Sequence, residues 1–286
     1  MKKISPLELI FWTFRRNEKD VVNLYDSLSD LMRLATGGDM LNFGFWNDKT
    51  TSPLLAQENL CEVFGKMALL DTNQKIIDVG SGLASPALQW HNKYNTKEIT
   101  CVDINSKQLK NSQSSFSKND FEKYFNFLNA TATTLPFENE SVDRVLVLES
   151  AQHFKPLKNF FSESFRILKK NGKLILAIPV LVDSQKSSIM KLGILSMTWP
   201  SEHYSIDFVK SLLEKEGFHI NDFQKIGSNV YEPLANYYLK NRESLKNKIL
   251  EKYPSYVEKI LYKSIQKMKH VSQKKIIDYV LISCQK

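Results

Sequence analysis

The stretch that decides the fold is Ile76-Ile77-Asp78-Val79-Gly80-Ser81-Gly82-Leu83-Ala84. Its first part is typical of a buried strand, and the small residues that follow predict a loop at the start of a helix. The two glycines allow positive φ angles and let the backbone approach a ligand closely. A G-x-G occurs in many nucleotide-binding folds. Because Asp78 precedes the first glycine by two residues, the loop suits a cationic or hydroxyl-bearing ligand better than a pyrophosphate.

Beyond this stretch, short apolar strands alternate with amphipathic segments. Strands are predicted over 76–79, 99–104, 125–128, 144–148, 173–178, 219–226 and 276–284. Such alternation predicts a parallel sheet with helices on both faces and places ligands at the carboxyl ends of the strands. A helical stretch over 231–270 separates the last two strands, of which the final one is expected to be antiparallel. The predicted fold class is therefore α/β, with a Rossmann-like, seven-stranded, mostly parallel sheet.

The prediction for domain organisation has four parts. Apolar residues at helical spacing, ending at Gly37-Gly38, predict an N-terminal helical cap over 1–60. The α/β core follows over 61–228, and a helical lid over 229–272 is inserted between strands six and seven. Residues 273–286 form the last strand of the core. The residues that carry the helical spacing of the cap are Val22, Leu24, Tyr25, Leu28, Leu31, Met32 and Leu34.

Charge is distributed unevenly along the chain. The net charge of the whole chain is +8, and the segment 240–275 alone carries eleven Lys or Arg against three Glu. We predict that this basic lid attracts either an anionic ligand or an anionic membrane surface that holds a lipophilic ligand. The alternative is a solvated helix face without a partner.

Composition also limits the compartment and the kind of site. Cys61, Cys101 and Cys284 lack ligand spacing, so neither a disulfide framework nor a metal site is predicted. The longest apolar run, 174–182, contains Pro179 and is far shorter than the roughly 20 residues that span a bilayer. The N-terminus lacks the pattern of a signal peptide. These features predict a cytoplasmic protein.

A second acid follows the second strand. Asp103 lies 25 residues beyond Asp78, where a carboxylate can accept both hydroxyls of an adenosine ribose. Ile104 would then lie against the adenine.

Four segments carry a resemblance to a known family: DVGSGLAS, CVDI, LPFENESVDRV and FSESFRILKKNGKLIL. In this order and spacing, over about residues 75–180, they resemble the class I S-adenosylmethionine-dependent methyltransferases. Upstream, LNFGFW at 41–46 is similar to the H-x-G-Y-W segment of the small-molecule branch, which includes antibiotic-sugar O-methyltransferases and sterol and tocopherol C-methyltransferases. The resemblance implies methyl transfer from S-adenosylmethionine to a small-molecule acceptor.

The resemblance also implies a set of cofactor-binding residues. The glycine loop would line the amino-acid part, Asp103 the ribose and the Thr131-Ala132 pair the adenine edge. Aromatic side chains upstream would close over the methionine side, where they favour a sulfonium cation. For Trp46, the alternative is an ordinary core anchor between cap and sheet. The candidates are Phe45, Trp46, Asp78, Gly80, Ser81, Gly82, Asp103, Ile104, Thr131, Ala132 and Glu149.

Three departures from the family pattern are visible. The third motif glycine is Ala84, and the usual acid before Ala-x-x-Leu-Pro-Phe is Thr131. The Thr131 hydroxyl can still accept from an adenine amino group, though more weakly than a carboxylate. The acid often found at the end of strand five is replaced by Ile178-Pro179, which argues against a mechanism or a metal that depends on it.

The candidate catalytic residues, Glu149 and His153, follow strand four in the sequence LESAQHF. In the family this edge faces the transferred methyl group, and an imidazole can take a proton from an attacking hydroxyl near neutral pH. The alternative for His153 is a histidine that caps the next helix or packs under the lid. Glu149 could orient His153 or attract a cationic nucleophile, and its alternative is a carboxylate that caps the backbone.

Other side chains bear on the acceptor. His203 is a candidate for the acceptor pocket or for a surface loop, whereas His91 is expected to be structural. An aromatic lid favours a partly hydrophobic acceptor, and the same residues could instead form the core of the cap. They are Phe11, Trp12, Phe14, Tyr231, Tyr237 and Tyr238.

Competing functions make different demands on the sequence. An NAD-dependent dehydrogenase leaves Asp78 and the LPF segment unexplained, and the chain lacks the third glycine. A nucleic-acid base methyltransferase would need an Asn/Asp-Pro-Pro-aromatic motif for a flipped base, but strand four ends in LESAQH. The main alternative is a non-catalytic cofactor-binding or scaffold protein that retains the fold, and the nucleic-acid methyltransferase is kept as a minor alternative.

Overall fold

The computed structural model describes residues 17–36, 40–183, 190–198 and 202–286. Within these ranges the strands are β1 Lys75–Val79, β2 Glu98–Asp103, β3 Phe125–Asn129, β4 Val142–Leu148, β5 Leu168–Leu181, β6 His219–Lys225 and β7 Ile277–Gln285. The helices are α1 Glu18–Thr36, α2 Pro53–Met67, α3 Ser85–Tyr94, α4 Ser106–Ser117, α5 Leu157–Ile167, α6 Leu195–Thr198, α7 Ile206–Lys215, α8 Gly227–Lys240, α9 Arg242–Lys252 and α10 Ser255–Gln273. A 3-10 turn, Ala151–His153, follows β4.

The strands form one seven-stranded sheet in the order β3-β2-β1-β4-β5-β7-β6. β1 pairs in parallel with both β2 and β4, whereas β7 runs antiparallel to β6. The strand order reverses between β1 and β4, and ligands of open α/β sheets bind at such a reversal, beyond the carboxyl ends of the strands. The predicted fold class, including the late antiparallel strand and the helices between strands six and seven, is confirmed.

Strand limits differ from the sequence prediction in two places. β5 begins at Leu168 and not at 173, because Leu168 already pairs with Val142 before the register shifts next to Arg144. β2 ends at Asp103, so Ile104 belongs to the following loop. The side chain of Asn105 then accepts from the N–H groups of Lys107 and Gln108, both at 3.1 Å, and begins α4.

The chain divides into two compact units, of which the first is an α/β unit made of Leu60–Pro179, Asp207–Lys225 and Val280–Lys286. Its core includes Trp90, which stacks on Phe64 with 5.5 Å between the ring centroids. The Trp90 indole N–H donates to the carbonyl of Cys61 at 2.9 Å, so this large side chain is buried without an unsatisfied donor. The carboxyl ends of β1, β2 and β4 all lie in this unit.

The second unit is helical and contains the described residues of Met1–Asn59, Val180–Ile206 and Ile226–Tyr279. α1 contributes to two buried clusters with residues from α8, α9 and α10 and the connections between them. The helix predicted over 231–270 is three helices, since α8 ends before Asn241 and α9 ends before Tyr253-Pro254. Pro254 lacks an N–H group, which disfavours a continuous helix across it, and α10 begins directly after it. The clustered residues are Leu24, Leu31, Ile249, Tyr253 and Val257, and Ala35, Tyr238 and Leu245.

The predicted N-terminal cap is only partly helical. Between α1 and α2, residues 40–52 contain no helix, and Gly44 there has φ +84°. The two glycines expected to end the first helix lie outside the described residues, and so do Phe11, Trp12 and Phe14. The limits of cap, core and lid stay a prediction. No helix in the described ranges is both long and apolar enough to cross a bilayer.

Candidate active site

The loop after β1 is bonded to the end of β2. The N–H groups of Gly80 and Ser81 both donate to the carbonyl of Val102, at 2.7 and 3.1 Å. The N–H of Gly82 donates to Asp103 Oδ2 at 2.8 Å. A pyrophosphate is held by loop N–H groups that point at it, but these three N–H groups are occupied within the protein. The loop therefore suits a ligand recognised mainly by side chains and by close approach of the backbone.

Gly80 is a position where only glycine fits. Its φ is +76°, and a Cβ atom would lie 2.3 Å from the Cβ of Ser150. Ser150 also donates its hydroxyl hydrogen to the carbonyl of Val79 at 2.6 Å. The loop after β1 and the loop after β4 are therefore in direct contact.

Asp103 at the end of β2 is oriented by its neighbours. Oδ1 accepts from the N–H of Asn105 at 2.7 Å, and Oδ2 accepts from Gly82. A carboxylate offers about four lone-pair sites, so each oxygen can accept a further bond. Burial raises the pKa of the Asp103 carboxyl, and the backbone N–H groups around it oppose that shift. The carboxylate is thus fixed in position with acceptor capacity left for ligand hydroxyls.

Asp78 is a buried carboxyl group with only 2% of its surface exposed. Its Oδ2 atom has no hydrogen-bond partner in the part of the chain that is described. Burial, and after it the negative charge of Asp103, raise the pKa of Asp78 to about 8. A cationic group bound near this carboxyl would favour its charged form.

The turn after β3 holds Thr131 and Ala132. The Thr131 hydroxyl lies 3.0 Å from the Thr133 hydroxyl and accepts from the Thr133 N–H at 3.3 Å. The Thr131 hydroxyl therefore already accepts a hydrogen bond within this turn, which uses part of its predicted capacity to accept from an adenine amino group. Asn129, which the sequence prediction did not include, donates through Nδ2 to the carbonyls of Asp103 and Ile104, both at 2.9 Å. This amide fixes the backbone between the ribose and adenine candidates.

The segment after β4 carries Glu149 and His153. Glu149 has φ +55°, and its N–H donates to the carbonyl of Ala177 in β5 at 2.8 Å. Gln152 donates through Nε2 to the Glu149 carbonyl at 2.6 Å, and the N–H of His153 donates to the Ser150 carbonyl at 2.9 Å. Non-glycine residues at positive φ persist where the surroundings hold them. The turn that presents His153 is therefore tied to both neighbouring strands.

Phe45 and Trp46 belong to the helical unit. The Trp46 N–H donates to the carbonyl of Asn229 at 2.7 Å, and its carbonyl accepts from Asn229 Nδ2 at 3.0 Å. The Trp46 ring is 7% exposed and lies 5.7 Å from Tyr237, centroid to centroid. Its indole N–H has no partner among the described residues. The neighbouring Phe45 is bonded through its N–H to the carbonyl of Ala56 at 2.7 Å. These contacts are typical of a core anchor, and the Trp46 indole N–H remains a donor without a partner among the described residues.

The remaining histidines differ in environment. His91 is buried, its Nδ1 lies 2.6 Å from the carbonyl of Thr96, and its ring packs on Tyr124 at 4.3 Å. Because a carbonyl only accepts, Nδ1 carries the hydrogen, and the expected structural role of His91 agrees with this contact. His203 has φ +50° and precedes the bridge between Leu181 and Ser205 in the helical unit.

At the end of β5, the residues Ile178-Pro179 take the place of the acid noted in the sequence analysis. The strand runs through Ile178-Pro179 to Leu181, and these positions are buried. In the described ranges, no group of three or more His, Cys, Asp or Glu side chains is arranged to share a metal ion.

Comparison with known proteins finds methyltransferases among the similar sequences. A family model described as "Methyltransferase domain" matches residues 77–176. Erythromycin 3''-O-methyltransferase of Saccharopolyspora erythraea is 26% identical over 96% of this chain and 92% of its own length. 27-O-demethylrifamycin SV methyltransferase of Amycolatopsis mediterranei is 28% identical over 56% of this chain and 58% of its own length.

Solved structures share the fold over nearly the whole chain. The cyclopropane synthase MmaA2 of Mycobacterium tuberculosis has a TM-score of 0.82 and 17% identity, covering 94% of this chain and 98% of its own. The [4+2]-cyclase SpnF has a TM-score of 0.78 and 18% identity, covering 94% of this chain and 96% of its own. Since one fold carries such different reactions, the fold alone does not define the chemistry.

Proposed function

The chain is a class I S-adenosylmethionine-dependent methyltransferase of the small-molecule branch, and we propose that it methylates a hydroxyl group of a partly hydrophobic small molecule. The finding that supports a hydroxyl acceptor is the similarity, over nearly the full length of both chains, to an erythromycin 3''-O-methyltransferase. The observation that carries the mechanism is the turn after β4, which is bonded to Val79 and Ala177 and presents His153.

The residues of the α/β unit fit this cofactor. The missing side chain of Gly80 lets Ser150 pack against the loop after β1, and Asp103 keeps acceptor capacity for two ribose hydroxyls. Asp78 provides a buried carboxyl oxygen without a hydrogen-bond partner in the described ranges, which suits a cationic ligand. In this proposal Gly80, Ser81 and Gly82 line the amino-acid part, and Ile104, Thr131 and Ala132 lie at the adenine.

Phe45, Trp46 and Glu149 complete the proposed cofactor set. The contacts of Trp46 with Asn229 and Tyr237 support an anchor role, while its remaining indole donor supports a ligand contact. Aromatic faces attract a sulfonium cation by roughly 0.5–1 kcal/mol at exposed sites and more when water is excluded. Tyr231 and Tyr238 of α8 are 0% and 1% exposed and pack as core, which leaves the half-buried Tyr237 as the aromatic side chain of α8 that we propose for contact with an acceptor.

When bound, S-adenosylmethionine supplies a sulfonium methyl group, to whose carbon an attacking oxygen can bond as the C–S bond breaks and neutral S-adenosylhomocysteine leaves. Positioning of the two reactants is then the main task of the protein. His153 accepts the hydroxyl proton on its imidazole as the oxygen attacks, which an acceptor protonated at working pH requires. Glu149 lies at the start of the same turn and is proposed to orient His153.

His153→Ala should lower kcat by about 10²–10⁴-fold with a hydroxyl acceptor, because a general base is usually worth that factor. Cofactor affinity should change little. The wild-type rate should rise with pH as the base loses its proton, and the variant should lose this rise. Product would be measured by mass spectrometry after incubation with S-adenosylmethionine and a panel of hydroxylated macrolides, phenols and sterols.

His219→Ala is the matched control, since His219 is an exposed histidine at the start of β6. This variant should keep the wild-type rate. A near-normal rate for His153→Ala with an authentic hydroxyl substrate would remove His153 as the base and leave positioning as the mechanism. Methylation at carbon or nitrogen, assigned by NMR of the product, would overturn the proposed acceptor class.

A further inference from the structure

The positive charge of the chain is concentrated in the helical unit. Residues 240–275 carry a net charge of +8, and the rest of the chain holds equal numbers of basic and acidic residues. One basic residue of this segment is internally paired, because Arg242 forms a salt bridge of 2.9 Å with Glu258, which is 2% exposed. The other basic residues are lysines. The surface charge of the segment is therefore almost entirely lysine charge.

Helix α10 presents a face without any carboxylate. Glu258 is the only acid in α10, and it is turned inward toward Arg242. The exposed side chains after it include Lys259, Lys263, Gln266 and His270, with Lys267 half-buried beside them. Together these five residues are called the α10 basic face. Its lysines recur every four residues and so lie on one side of the helix over about 12 Å.

The lysines of α9 and α10 lack ion-pair partners within 4.0 Å in the described chain. The α/β unit differs, because several of its lysines contact carboxylates directly, such as Lys66 and Lys93 with Glu62, both at 2.6 Å. Lys169 likewise contacts Asp143 at 3.0 Å. Unpaired like charges on one helix repel one another. Such a surface is electrostatically complementary to an extended anionic partner, because the partner's negative charge would offset the repulsion between the lysines.

An exposed apolar side chain lies next to the α10 basic face. Met190 is 84% exposed, and its carbonyl accepts from the N–H of Gly193 at 3.4 Å. A Cβ atom on Gly193 would lie 3.4 Å from Lys267 Cε, so this short segment is in contact with the basic face. Lys191 between them is also exposed. Cationic and apolar side chains thus share one surface.

We propose that the α10 basic face, together with Met190, binds the surface of an anionic lipid bilayer. Lysines near such a surface are each attracted by the negative potential of the lipid head groups, and the attraction adds over several residues. An exposed methionine beside them can insert into the region between head groups and acyl chains. The contact is peripheral. It would bring the chain close to a lipophilic acceptor, but it does not depend on methyl transfer.

The composition of the face favours lipid over nucleic acid. Nucleic-acid surfaces rely on arginine forks for phosphate and bases and on aromatic platforms for stacking. In this segment Arg242 is occupied by Glu258, and its guanidinium stacks on Tyr262 at 3.6 Å. The compact, strongly hydrated charge of lysine suits a diffuse anionic layer, and Met190 has no role against a phosphate backbone.

The experiment is vesicle co-sedimentation of the full chain. Vesicles contain equal parts of phosphatidylglycerol and phosphatidylcholine, or phosphatidylcholine alone, at about 50 mM and about 500 mM salt. Binding is expected only with the anionic vesicles, and it should fall steeply at high salt. The variant Lys259→Glu/Lys263→Glu/Lys267→Glu should bind at least about a hundredfold more weakly, since each of the three lysines contributes about fivefold. Met190→Ser should weaken binding a few-fold.

The control variant is Lys97→Glu/Lys110→Glu/Lys118→Glu, which makes the same charge change at exposed lysines of the α/β unit. It should retain vesicle binding, and both triple variants should keep the wild-type circular dichroism spectrum and S-adenosylmethionine affinity. Lack of binding to anionic vesicles at low salt would overturn the proposal, and so would equal losses in the two variants. Tighter binding to a short DNA duplex than to the vesicles would favour a nucleic-acid partner instead.

Discussion

The carboxyl edge of the α/β unit and the helical unit differ in how their polar groups are satisfied. At the carboxyl edge, the N–H groups of Gly80, Ser81 and Gly82 are all bonded within the protein. In the helical unit, the indole N–H of Trp46 and the lysines of α10 have no partner within the described residues. The backbone of this edge is therefore held by bonds within the protein, although Asp78 Oδ2 there has no hydrogen-bond partner among the described residues. The helical unit retains donors and charges that are available to other molecules.

Among substitutions at the carboxyl edge of the α/β unit, we expect Gly80→Val to have the largest effect on stability and on cofactor binding. The added Cβ would overlap Ser150, and a β-branched residue resists φ +76°. We expect a loss of about 3–5 kcal/mol in unfolding free energy and no measurable binding of S-adenosylmethionine. Chemical denaturation and isothermal titration calorimetry measure the two effects.

Gly82→Ala is the matched control for this substitution. Gly82 also has a positive φ, but its added Cβ would meet only the side-chain oxygen of Gln108, at 3.4 Å. It should therefore cost less than Gly80→Val. Normal cofactor binding by Gly80→Val would show that the tight contact between the two loops is packing without a role in binding.

Asp103→Ala tests the second element of the edge. The substitution removes the acceptor of two backbone N–H groups and the proposed ribose ligand. Loss of charge-assisted bonds should weaken S-adenosylmethionine binding by about 1.5–3 kcal/mol. Asp103→Asn, which keeps the size and one acceptor oxygen, should lose less. Unchanged affinity of Asp103→Ala by calorimetry would reject the assignment.

Asp78→Asn should have a smaller effect on cofactor affinity than Asp103→Ala near neutral pH, because Asp78, with a pKa of about 8, must first release a proton before its charged form can attract a cationic ligand. Its effect on stability depends on pH. Between the unfolded pKa of 3.8 and about 8, the folded chain holds a proton that the unfolded chain lacks, so stability falls as pH rises. The slope approaches about 1.4 kcal/mol per pH unit.

In Asp78→Asn, the contribution of this carboxyl group to the decline in stability should be absent. The free energy of unfolding of the variant should therefore increase relative to that of the wild type from pH 5 to pH 8. Above pH 8 the difference between the two proteins should stay constant. Urea denaturation at each pH measures the difference. Parallel pH profiles for the two proteins would mean that Asp78 is already charged in the folded chain.

The strands of the sheet could be predicted because each is a local signal. Buried runs such as Ile76-Ile77 end in glycine or acid, and this pattern depends on residues within the same few positions. The antiparallel pairing of β7 with β6 followed from the position of the last strand after the helical insertion. Seven strands and their mostly parallel arrangement are confirmed.

The helical unit was less predictable because its structure depends on distant contacts. Residues 40–52 were expected to be helical, but Gly44 and its neighbours lie against Ala56 and Gln57. The helix predicted over 231–270 is interrupted at Asn241 and at Pro254. The proline was a local signal, whereas nothing around Asn241 indicated the first break.

For the candidate site, the sequence indicated which side chains could carry the chemistry. It did not indicate which residues hold the backbone of the site in position. Asp103, Glu149 and His153 were named from their positions after strands. Ser150, Asn129 and Gln152 were not. Gln152 bonds within its own turn, whereas Ser150 and Asn129 bond to the backbone of a neighbouring strand or loop. Bonds of this kind join residues tens of positions apart, so they leave no periodic signal. The roles of the named residues stay proposals.

The pairing of Trp46 with Asn229 bears on how the chain is made. The two residues are 183 positions apart, and a ribosome adds roughly 5–20 residues per second. Trp46 therefore emerges about ten seconds or more before the residue that satisfies its backbone. During that interval its indole ring is an exposed apolar surface on a nascent chain. The N-terminal segment completes its packing only after β6 and the start of α8 have been synthesised.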